Sequence, residues 1–270
     1  MRRRLRPALL GLAAAASLAG CDASPTEGGE RVLVWSDEFD GPAGTPPSAE
    51  NWQYEVGTDW GNAQLEYDTD RASNAALDGQ GHLVLTARRE AYGGRQYTSA
   101  RLSTAGRREF RYGRIEGRMK LPSGQGLWPA FWMLGASFPT VGWPAAGEID
   151  IMEFRGQEPT TVHGSLHGPG YSGGAALTRR YTPPATRFDN SFHVFAVEWT
   201  KDRIDYFVDG QRYFTVRRSD VPGAWVFDQP FYLILNVAVG GTFVGAPGPA
   251  TTFPQTMLVD WVRVYAPTSS

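Results

Sequence analysis

The chain has 270 residues, a formal net charge of −2 and a single cysteine. One cysteine excludes an intramolecular disulfide, so the fold must be held by its core, and the length suits one large domain. The first 20 residues carry four Arg and no acidic residue, and the remainder has a formal charge of −6. An acidic domain is a poor partner for nucleic acid, and we expect none.

The N-terminal segment differs from the rest of the chain. Its four arginines lie before or at the start of an otherwise apolar run over residues 5–18, the pattern of a signal peptide. This run of 14 residues is shorter than the roughly 20 residues that a helix needs to cross a bilayer. We therefore expect an exported protein whose mature form has no transmembrane span.

The apolar run ends in Leu18-Ala19-Gly20-Cys21, which resembles the lipobox of bacterial lipoproteins. In that motif the cysteine is lipidated and becomes the new N-terminus, and its acyl chains anchor the protein to a membrane. An ordinary cleavage site followed by a stray thiol is the alternative. The sequence predicts a signal peptide (1–20), a lipidated flexible tether (21–30) and one folded domain (31–270).

Short runs rich in Val, Ile, Phe, Tyr and Trp make up most of the domain, separated by Gly, Pro and Asn. Residues 113–120 alternate Gly, Ile and Met with Arg, Glu and Lys, which predicts a strand with one packed face and one wet face. Many short antiparallel strands in one domain predict an all-β jelly-roll sandwich of two antiparallel sheets.

Aromatic residues precede the segment with the most chemistry. Trp128 and Trp132 lie in one run and Trp143 lies just before a cluster of acids. Flat rings in a cleft stack against the apolar faces of pyranose rings. Core packing is the alternative reading for any one of these rings.

Three carboxylates, Glu148, Asp150 and Glu153, lie within residues 147–153, interleaved with Ile and Met. A helix would spread these acids around its circumference. A strand places Glu148 and Asp150 on one face, and a single β-bulge near Met152 brings Glu153 to the same face. A solvated strand face that happens to be acidic is the alternative.

The spacing of the two glutamates has a chemical meaning. Their backbones would lie about 13 Å apart, and inward-reaching side chains would bring the carboxyl groups to about 5.5 Å, the separation in retaining glycosidases. In that mechanism ionised Glu148 attacks the anomeric carbon, while Glu153 first protonates the leaving oxygen and then deprotonates water. We expect Asp150 to hydrogen-bond the nucleophile and, by repulsion, to raise the pKa of its neighbours.

Two later runs complete the strand pattern. Asp209-Gly210 separates residues 203–208 from 211–216, which predicts a β-hairpin. Residues 258–265 alternate like a core strand but place Asp260 on the apolar face. A carboxylate on that face needs a partner.

Residues 143–156, with Trp128-Pro129-Ala130-Phe131-Trp132-Met133-Leu134 before them, resemble glycoside hydrolase family sixteen, in particular its bacterial laminarinase-like endo-1,3-β-glucanases. The resemblance extends from residues 35–41 to residues 259–265. It implies a jelly roll with a concave substrate cleft, a retaining endo-acting mechanism and no cofactor in catalysis. It also implies Glu148 as nucleophile, Asp150 as its assistant and Glu153 as acid/base.

The resemblance also covers positions outside the acidic segment. The resemblance suggests that His167, Asn62 and Arg101 contact substrate, although residues 61–70 depart from the commoner family sequence. Some members bind a structural calcium ion. Asp260 would supply the carboxylate and Glu38 and Gly81 backbone oxygens, which suits a cation that prefers oxygen ligands. The alternative is a hydrogen-bonded Asp without metal.

The sequence therefore predicts a monomeric endo-1,3-β-glucanase that acts on laminarin-like or fungal-wall β-glucan. A mixed-linkage β-glucanase, or an enzyme acting on another glucan or β-galactan such as agarose or carrageenan, would carry the same carboxylates. A non-catalytic glucan-binding module of the same fold is the alternative from another class, although such modules lose the carboxylates.

Overall fold

Two β-sheets packed face to face form the part of the chain that the structure, a computed structural model, describes, residues 31–267. The predicted all-β sandwich is confirmed. The predicted signal peptide, Cys21 and tether lie outside the described residues. Within them, no helix is long and apolar enough to cross a membrane.

Within residues 31–267, eighteen strands alternate with turns and one short helix. The first nine strands are β1 (Leu33–Asp37), β2 (Gln53–Tyr54), β3 (Glu66–Asp68), β4 (Ala75–Leu77), β5 (Leu83–Tyr92), β6 (Arg95–Ser99), β7 (Arg101–Ser103), β8 (Glu109–Phe110) and β9 (Gly113–Lys120). The other nine are β10 (Leu127–Gly135), β11 (Glu148–Phe154), β12 (Val162–His167), β13 (Leu177–Tyr181), β14 (His193–Trp199), β15 (Arg203–Val208), β16 (Gln211–Arg217), β17 (Phe231–Val239) and β18 (Gln255–Tyr265). Helix α1 covers Phe138–Val141, and 3₁₀ turns cover Gly173–Ala175 and Arg218–Asp220.

The strands form a back sheet and a cleft sheet. The back sheet has the order β16-β15-β14-β9-β18-β5-β6-β3, with β1 beside β18 and β4 beside β5. The cleft sheet has the order β13-β12-β11-β10-β17-β7-β2, with β8 beside β17. All pairs are antiparallel except β3 with β6, so the predicted antiparallel arrangement holds with one parallel pair at an edge.

The hydrophobic core lies between the two sheets. Strand β17 is buried along its whole length because both of its faces are covered. Phe231, Leu233 and Leu235 point into the main core, whereas Tyr232 and Ile234 join a smaller cluster on the other face. Each fully buried side chain of this kind contributes roughly 1.5–3 kcal/mol. The core therefore holds β10, β11 and β17 as a rigid floor.

The predicted hairpin is confirmed as β15 and β16. Asp209 and Gly210 have φ angles of 49° and 79°. Both values lie in the left-handed region that a two-residue type I′ turn requires.

The prediction for residues 113–120 is right about the strand and partly wrong about its wet face. Arg114 and Glu116 are only 9% exposed. Arg114 donates hydrogen bonds to Glu116 (2.7 Å) and to Glu198 on β14 (3.1 Å), and its guanidinium lies over the Phe207 ring. The neighbouring strands β14 and β15 supply Glu198 and Phe207, which no pattern within β9 reveals.

The prediction that Asp260 shares the core face of its strand is wrong. Val259 pairs with Met119 on β9 and Trp261 pairs with Arg118, so Asp260 is an extra residue that has no paired residue on β9. This bulge turns the Asp260 side chain outward, where its carboxylate accepts a hydrogen bond from Arg118. The carboxylate has its partner without entering the core.

Candidate active site

A β-bulge in β11 sets the geometry of the acidic segment. Asp150 faces Ser165 on β12 and Glu153 faces His163, so three steps along β11 match two along β12. The two residues between the acids are both buried, at 1% exposure or less. The bulge predicted near Met152 is confirmed, and all three carboxylates line the same cleft.

The cleft crosses the exposed face of the cleft sheet and has a volume of about 440 Å³. It brings together every residue predicted for catalysis or substrate binding: Glu148, Asp150, Glu153, Trp128, Trp132, Trp143, His167, Asn62 and Arg101. Its lining also includes residues that the sequence reading missed: Trp60, Gln64, Ala130, Leu134, Phe138, Ser165, Gly173, Thr178, Asn236 and Phe243. Some of these lie beside predicted residues on β10 and β12, and the others come from separate segments that only the fold assembles.

The Trp143 indole and the His167 imidazole lie beside the Glu148 carboxylate. Trp143 Nε1 donates a hydrogen bond to Glu148 Oε2 (3.1 Å), and His167 Nε2 lies 3.6 Å from Oε1. Burial, followed by the charge of Asp150, raises the pKa of Glu148 to about 8. The side chain still keeps 17% of its surface open to the cleft, and we expect water to moderate this rise.

His167 is oriented toward the carboxylates. Its Nδ1 accepts a hydrogen bond from the Gly173 backbone N–H (3.1 Å), so Nε2 carries the hydrogen. Nε2 lies 3.0 Å from Asp150 Oδ2, but the contact is poorly directed and Oδ2 has no hydrogen bond among the described residues. Ligand atoms of Glu148, Asp150 and His167 lie within 4.8 Å of one another. Because Nε2 bears hydrogen, this group is arranged for hydrogen bonding rather than for a metal ion.

Glu153 accepts a hydrogen bond on each carboxyl oxygen. Trp128 Nε1 donates to Oε1 (3.1 Å) and Ser165 Oγ donates to Oε2 (3.2 Å). Burial raises the pKa of Glu153, and these two hydrogen bonds lower it. The Trp128 ring is 9% exposed and packs against Phe243. Trp128 therefore contacts Glu153 through its N–H and offers little ring face to a sugar.

Asp150 completes the acidic cluster. Burial and the neighbouring charge of Glu153 raise its pKa well above the usual range. With so few donors nearby, the carboxyl groups cannot all ionise cheaply, so the cluster retains protons and titrates as one unit.

A stacked arrangement of rings around Arg101 forms one end of the cleft. The Arg101 guanidinium lies between the indole rings of Trp60 and Trp132, 4.8 Å and 4.9 Å from their centroids, and its Nε donates to Glu55. Trp132 Nε1 donates to Asn236 Oδ1 (2.8 Å). Ion pairing and cation–π contacts fix the guanidinium fork beside an indole surface, an arrangement suited to binding sugar hydroxyls.

The loop before β3 carries Asn62 to the same end. Asn62 has φ 54°, and its carbonyl accepts from the Thr242 N–H (2.8 Å). Beneath the loop, Glu66 and Asp68 are 1% and 2% exposed, and Glu66 accepts from the Val239 N–H (2.8 Å). Burial raises the pKa of Glu66 to about 7, and burial, followed by the charge of Glu66, raises the pKa of Asp68 well above its usual range. This buried pair lies in residues 61–70, the segment whose sequence departs from the usual family sequence.

The residues predicted for calcium lie on the back sheet and the loops beside it, away from the cleft. The Asp260 carboxylate accepts from Arg118, and the Glu38 carboxylate accepts two hydrogen bonds from Arg263 (2.8 and 3.0 Å). Gly81 could offer only its carbonyl. A guanidinium on the one predicted carboxylate ligand opposes a divalent cation, so this arrangement does not fit bound calcium.

The raised pKa of Glu148 predicts a pH-dependent stability change in Glu148→Gln. The carboxyl group of an unfolded Glu has a pKa of about 4.3. Between that pH and pH 8 the folded state therefore holds a proton that the unfolded state has lost. The free energy of unfolding therefore falls as the pH rises toward 8. Gln cannot ionise, so the variant does not lose this stability. We expect the thermal midpoint of the variant to exceed that of the wild type by about 4 °C at pH 8 and to match it at pH 4.

The control for this comparison is Glu50→Gln, which changes an exposed turn residue far along the chain. Its midpoint should follow the wild type at each pH. Equal midpoints for Glu148→Gln and the wild type at every pH would mean that folding leaves the pKa of Glu148 at its unfolded value.

Comparisons with known proteins agree with this geometry. The profile described as Glycosyl hydrolases family 16 matches residues 56–263. The chain is 46% identical over 245 residues to a β-glucanase of Rhodothermus marinus, covering 86% of this chain and 84% of the relative. The laminarinase catalytic domain from Thermotoga maritima superposes with a TM-score of 0.84 at 45% identity, covering 89% of this chain and all of that one. The endo-β-1,3-glucanase from Pyrococcus furiosus also gives a TM-score of 0.84, at 46% identity and 89% and 96% coverage. This chain belongs to glycosyl hydrolase family 16.

Proposed function

We propose that this protein is a retaining endo-1,3-β-glucanase that hydrolyses laminarin-like β-glucans. The observation that carries the proposal is the bulge of β11, which places Glu148, Asp150 and Glu153 on one cleft floor. Two carboxyl groups that flank the scissile bond of a bound sugar suit a double displacement. Similarity to a β-glucanase and to endo-1,3-β-glucanases supports the choice of polymer.

In the first step Glu148 attacks the anomeric carbon and the glycosidic C–O bond breaks. The proton of Glu153 passes to the leaving oxygen, so the departing chain leaves as an alcohol. Trp143 and His167 present N–H groups to Glu148, which favour its ionised form. Transfer of a proton from Glu148 to a neighbouring carboxylate would prepare this state without changing the charge of the cluster.

In the second step a water molecule replaces the departed chain. Glu153, now ionised, takes a proton from that water while the oxygen bonds to the anomeric carbon and the bond to Glu148 breaks. The sugar keeps its β configuration, and both carboxyl groups return to their starting protonation states. No cofactor takes part in either step.

The experiment that tests the function is product analysis of residues 31–270 incubated with linear 1,3-β-glucan, mixed-linkage β-glucan or agarose. Early release of oligosaccharides in the β configuration from 1,3-β-glucan is the expected result. Cleavage of mixed-linkage glucan alone, or of agarose alone, would replace the proposed substrate. Binding without cleavage of any polymer would point to a glucan-binding module.

The assigned roles predict different stereochemical outcomes when azide is added to the two alanine variants with an aryl β-glycoside. Glu153→Ala should lose about 10²–10⁴-fold in hydrolysis of polysaccharide, and azide should attack its glycosyl-enzyme to give the β-glycosyl azide. Glu148→Ala forms no glycosyl-enzyme, so azide should enter from the opposite face and give the α-glycosyl azide. Nuclear magnetic resonance distinguishes the anomers, and the reverse pairing would exchange the two roles.

We also propose that the mature protein is exported, monomeric and anchored to a membrane through lipidated Cys21. The motif Leu18-Ala19-Gly20-Cys21 after an apolar run supports this proposal. In a bacterial host, the full chain should sediment with membranes and carry acyl chains at its N-terminus by mass spectrometry, whereas Cys21→Ser should not. An unacylated wild-type N-terminus would exclude the anchor, and light scattering of residues 31–270 would test the monomer.

A structural calcium ion between Asp260, Glu38 and Gly81 stays a prediction, although Arg118 donates a hydrogen bond to the Asp260 carboxylate in this structure. Bound calcium would have to displace this guanidinium. If the ion binds there, millimolar calcium should raise the thermal midpoint of the wild type and leave that of Asp260→Asn unchanged. A wild-type midpoint insensitive to both calcium and a chelator would exclude the site.

A further inference from the structure

Three neighbouring strands carry a row of hydrogen-bonded side chains that ends at Glu153. Thr178 on β13 pairs directly with Ser165 on β12, and Ser165 pairs with Asp150 on β11. Thr178 Oγ1 donates to Ser165 Oγ (3.0 Å), and Ser165 Oγ donates to Glu153 Oε2 (3.2 Å). Thr178 is exposed on the cleft wall, whereas Ser165 is buried at 2% exposure. Two hydroxyls therefore connect Glu153 to the edge of the cleft.

The back sheet holds Ser165 in place from behind. Its carbonyl oxygen accepts a hydrogen bond from Tyr206 Oη on β15 (2.8 Å), and Tyr206 is fully buried. The preceding residue, Gly164, leaves no room for a side chain, since a Cβ there would lie 2.4 Å from Tyr213 Oη. The backbone of β12 is thus clamped, and the Ser165 hydroxyl has a fixed position beside Glu153.

The two partners of Glu153 differ in what they can do. The indole N–H of Trp128 is a donor only, whereas a serine hydroxyl is both a donor and an acceptor and can rotate between the two roles. Glu153 must pass from acid to base and back in each catalytic cycle. A partner with reversible polarity suits both of its protonation states, and the Thr178 hydroxyl lets Ser165 reverse without losing a hydrogen bond.

We propose that Ser165 and Thr178 form a two-hydroxyl relay that positions Glu153 and supplies its Oε2 with a hydrogen-bonding partner in both halves of the reaction. This inference rests on the proposed function, since it assigns Glu153 the acid/base role. Ser165 and Thr178 are positioning residues that act through Glu153. In the arrangement observed, Thr178 donates to Ser165 and Ser165 to the carboxylate, which favours the ionised form that takes a proton from water.

Other titratable groups surround Glu153, and the experiment must leave them unchanged. They come from β11 and its end, from β12 and from the strands of the back sheet behind: Glu148, Asp150, Arg155, His167, Tyr206 and Tyr213. Removing a hydroxyl from Ser165 or Thr178 alters no charge in this set. A shift in the pH profile of such a variant would therefore report the hydrogen bond to Glu153.

The test measures kcat and kcat/KM against pH on a soluble 1,3-β-glucan for the wild type, Ser165→Ala, Thr178→Val and Thr178→Ser. Losing a donor to the ionised form raises the pKa of Glu153, so the alkaline limb of kcat/KM should move upward by about 0.5 pH unit in Ser165→Ala and by less in Thr178→Val. We expect kcat near neutral pH to fall about tenfold and threefold, respectively. Thr178→Ser keeps the hydroxyl and should restore both the rate and the profile.

Thr256→Val, which removes the hydroxyl of an exposed threonine on the back sheet, is the matched control and should behave like the wild type. Thr178 lies at an exposed edge, so its variants test the relay even if Ser165→Ala does not fold. Unchanged kcat and an unchanged alkaline limb in Thr178→Val, with an active wild type, would overturn the relay and leave the proposed function intact. An inactive, folded wild type would instead overturn the proposed function.

Discussion

One extra residue in β11 is the constraint on which the rest of the site depends. Side chains of a strand alternate between its two faces, so regular pairing would send Glu153 into the core and leave only Glu148 and Asp150 in the cleft. The bulge between Asp150 and Glu153 restores the third acid to the cleft face. The apolar residues around it stay packed between the sheets. Glu153 lies three residues after Asp150 and five after Glu148, and the bulge lets all three line the cleft without placing a charge in the core.

Burial of this floor gives the carboxyl groups their chemistry. Few donors reach them: Trp143 before β11 and Trp128 on β10 donate through their indole N–H groups, and Ser165 on β12 donates through its hydroxyl, with His167 Nε2 close by. Low solvation and mutual repulsion keep protons in the cluster at neutral pH, while these donors select which group is ionised. The back sheet contributes as well, because Tyr206 fixes the strand that carries Ser165.

Local sequence patterns were sufficient for much of this architecture. Alternation with one bulge located Glu148, Asp150 and Glu153, and Asp209-Gly210 located a hairpin, because each depends on neighbours along the chain. The roles of Ser165, Thr178, Trp60 and the buried pair Glu66 and Asp68 gave no such signal, since they arise from contacts between different strands and loops and not from spacing within one strand. The prediction for Asp260 was wrong for a related reason. A bulge in the pairing with β9 places its side chain on the opposite face from the one that simple alternation predicts.

The central claim is that the bulged strand presents Glu148 as the nucleophile of a retaining hydrolase. Trapping the glycosyl-enzyme tests it most directly. A 2-deoxy-2-fluoro β-1,3-linked glucoside with a good leaving group should form a stable covalent adduct. Fluorine slows both steps, because both pass through an oxocarbenium-like transition state, and the good leaving group restores the rate of the first step only. Peptide mass spectrometry should then place one sugar on Glu148. A sugar on Glu153 or Asp150, or turnover without any covalent adduct, would contradict the account.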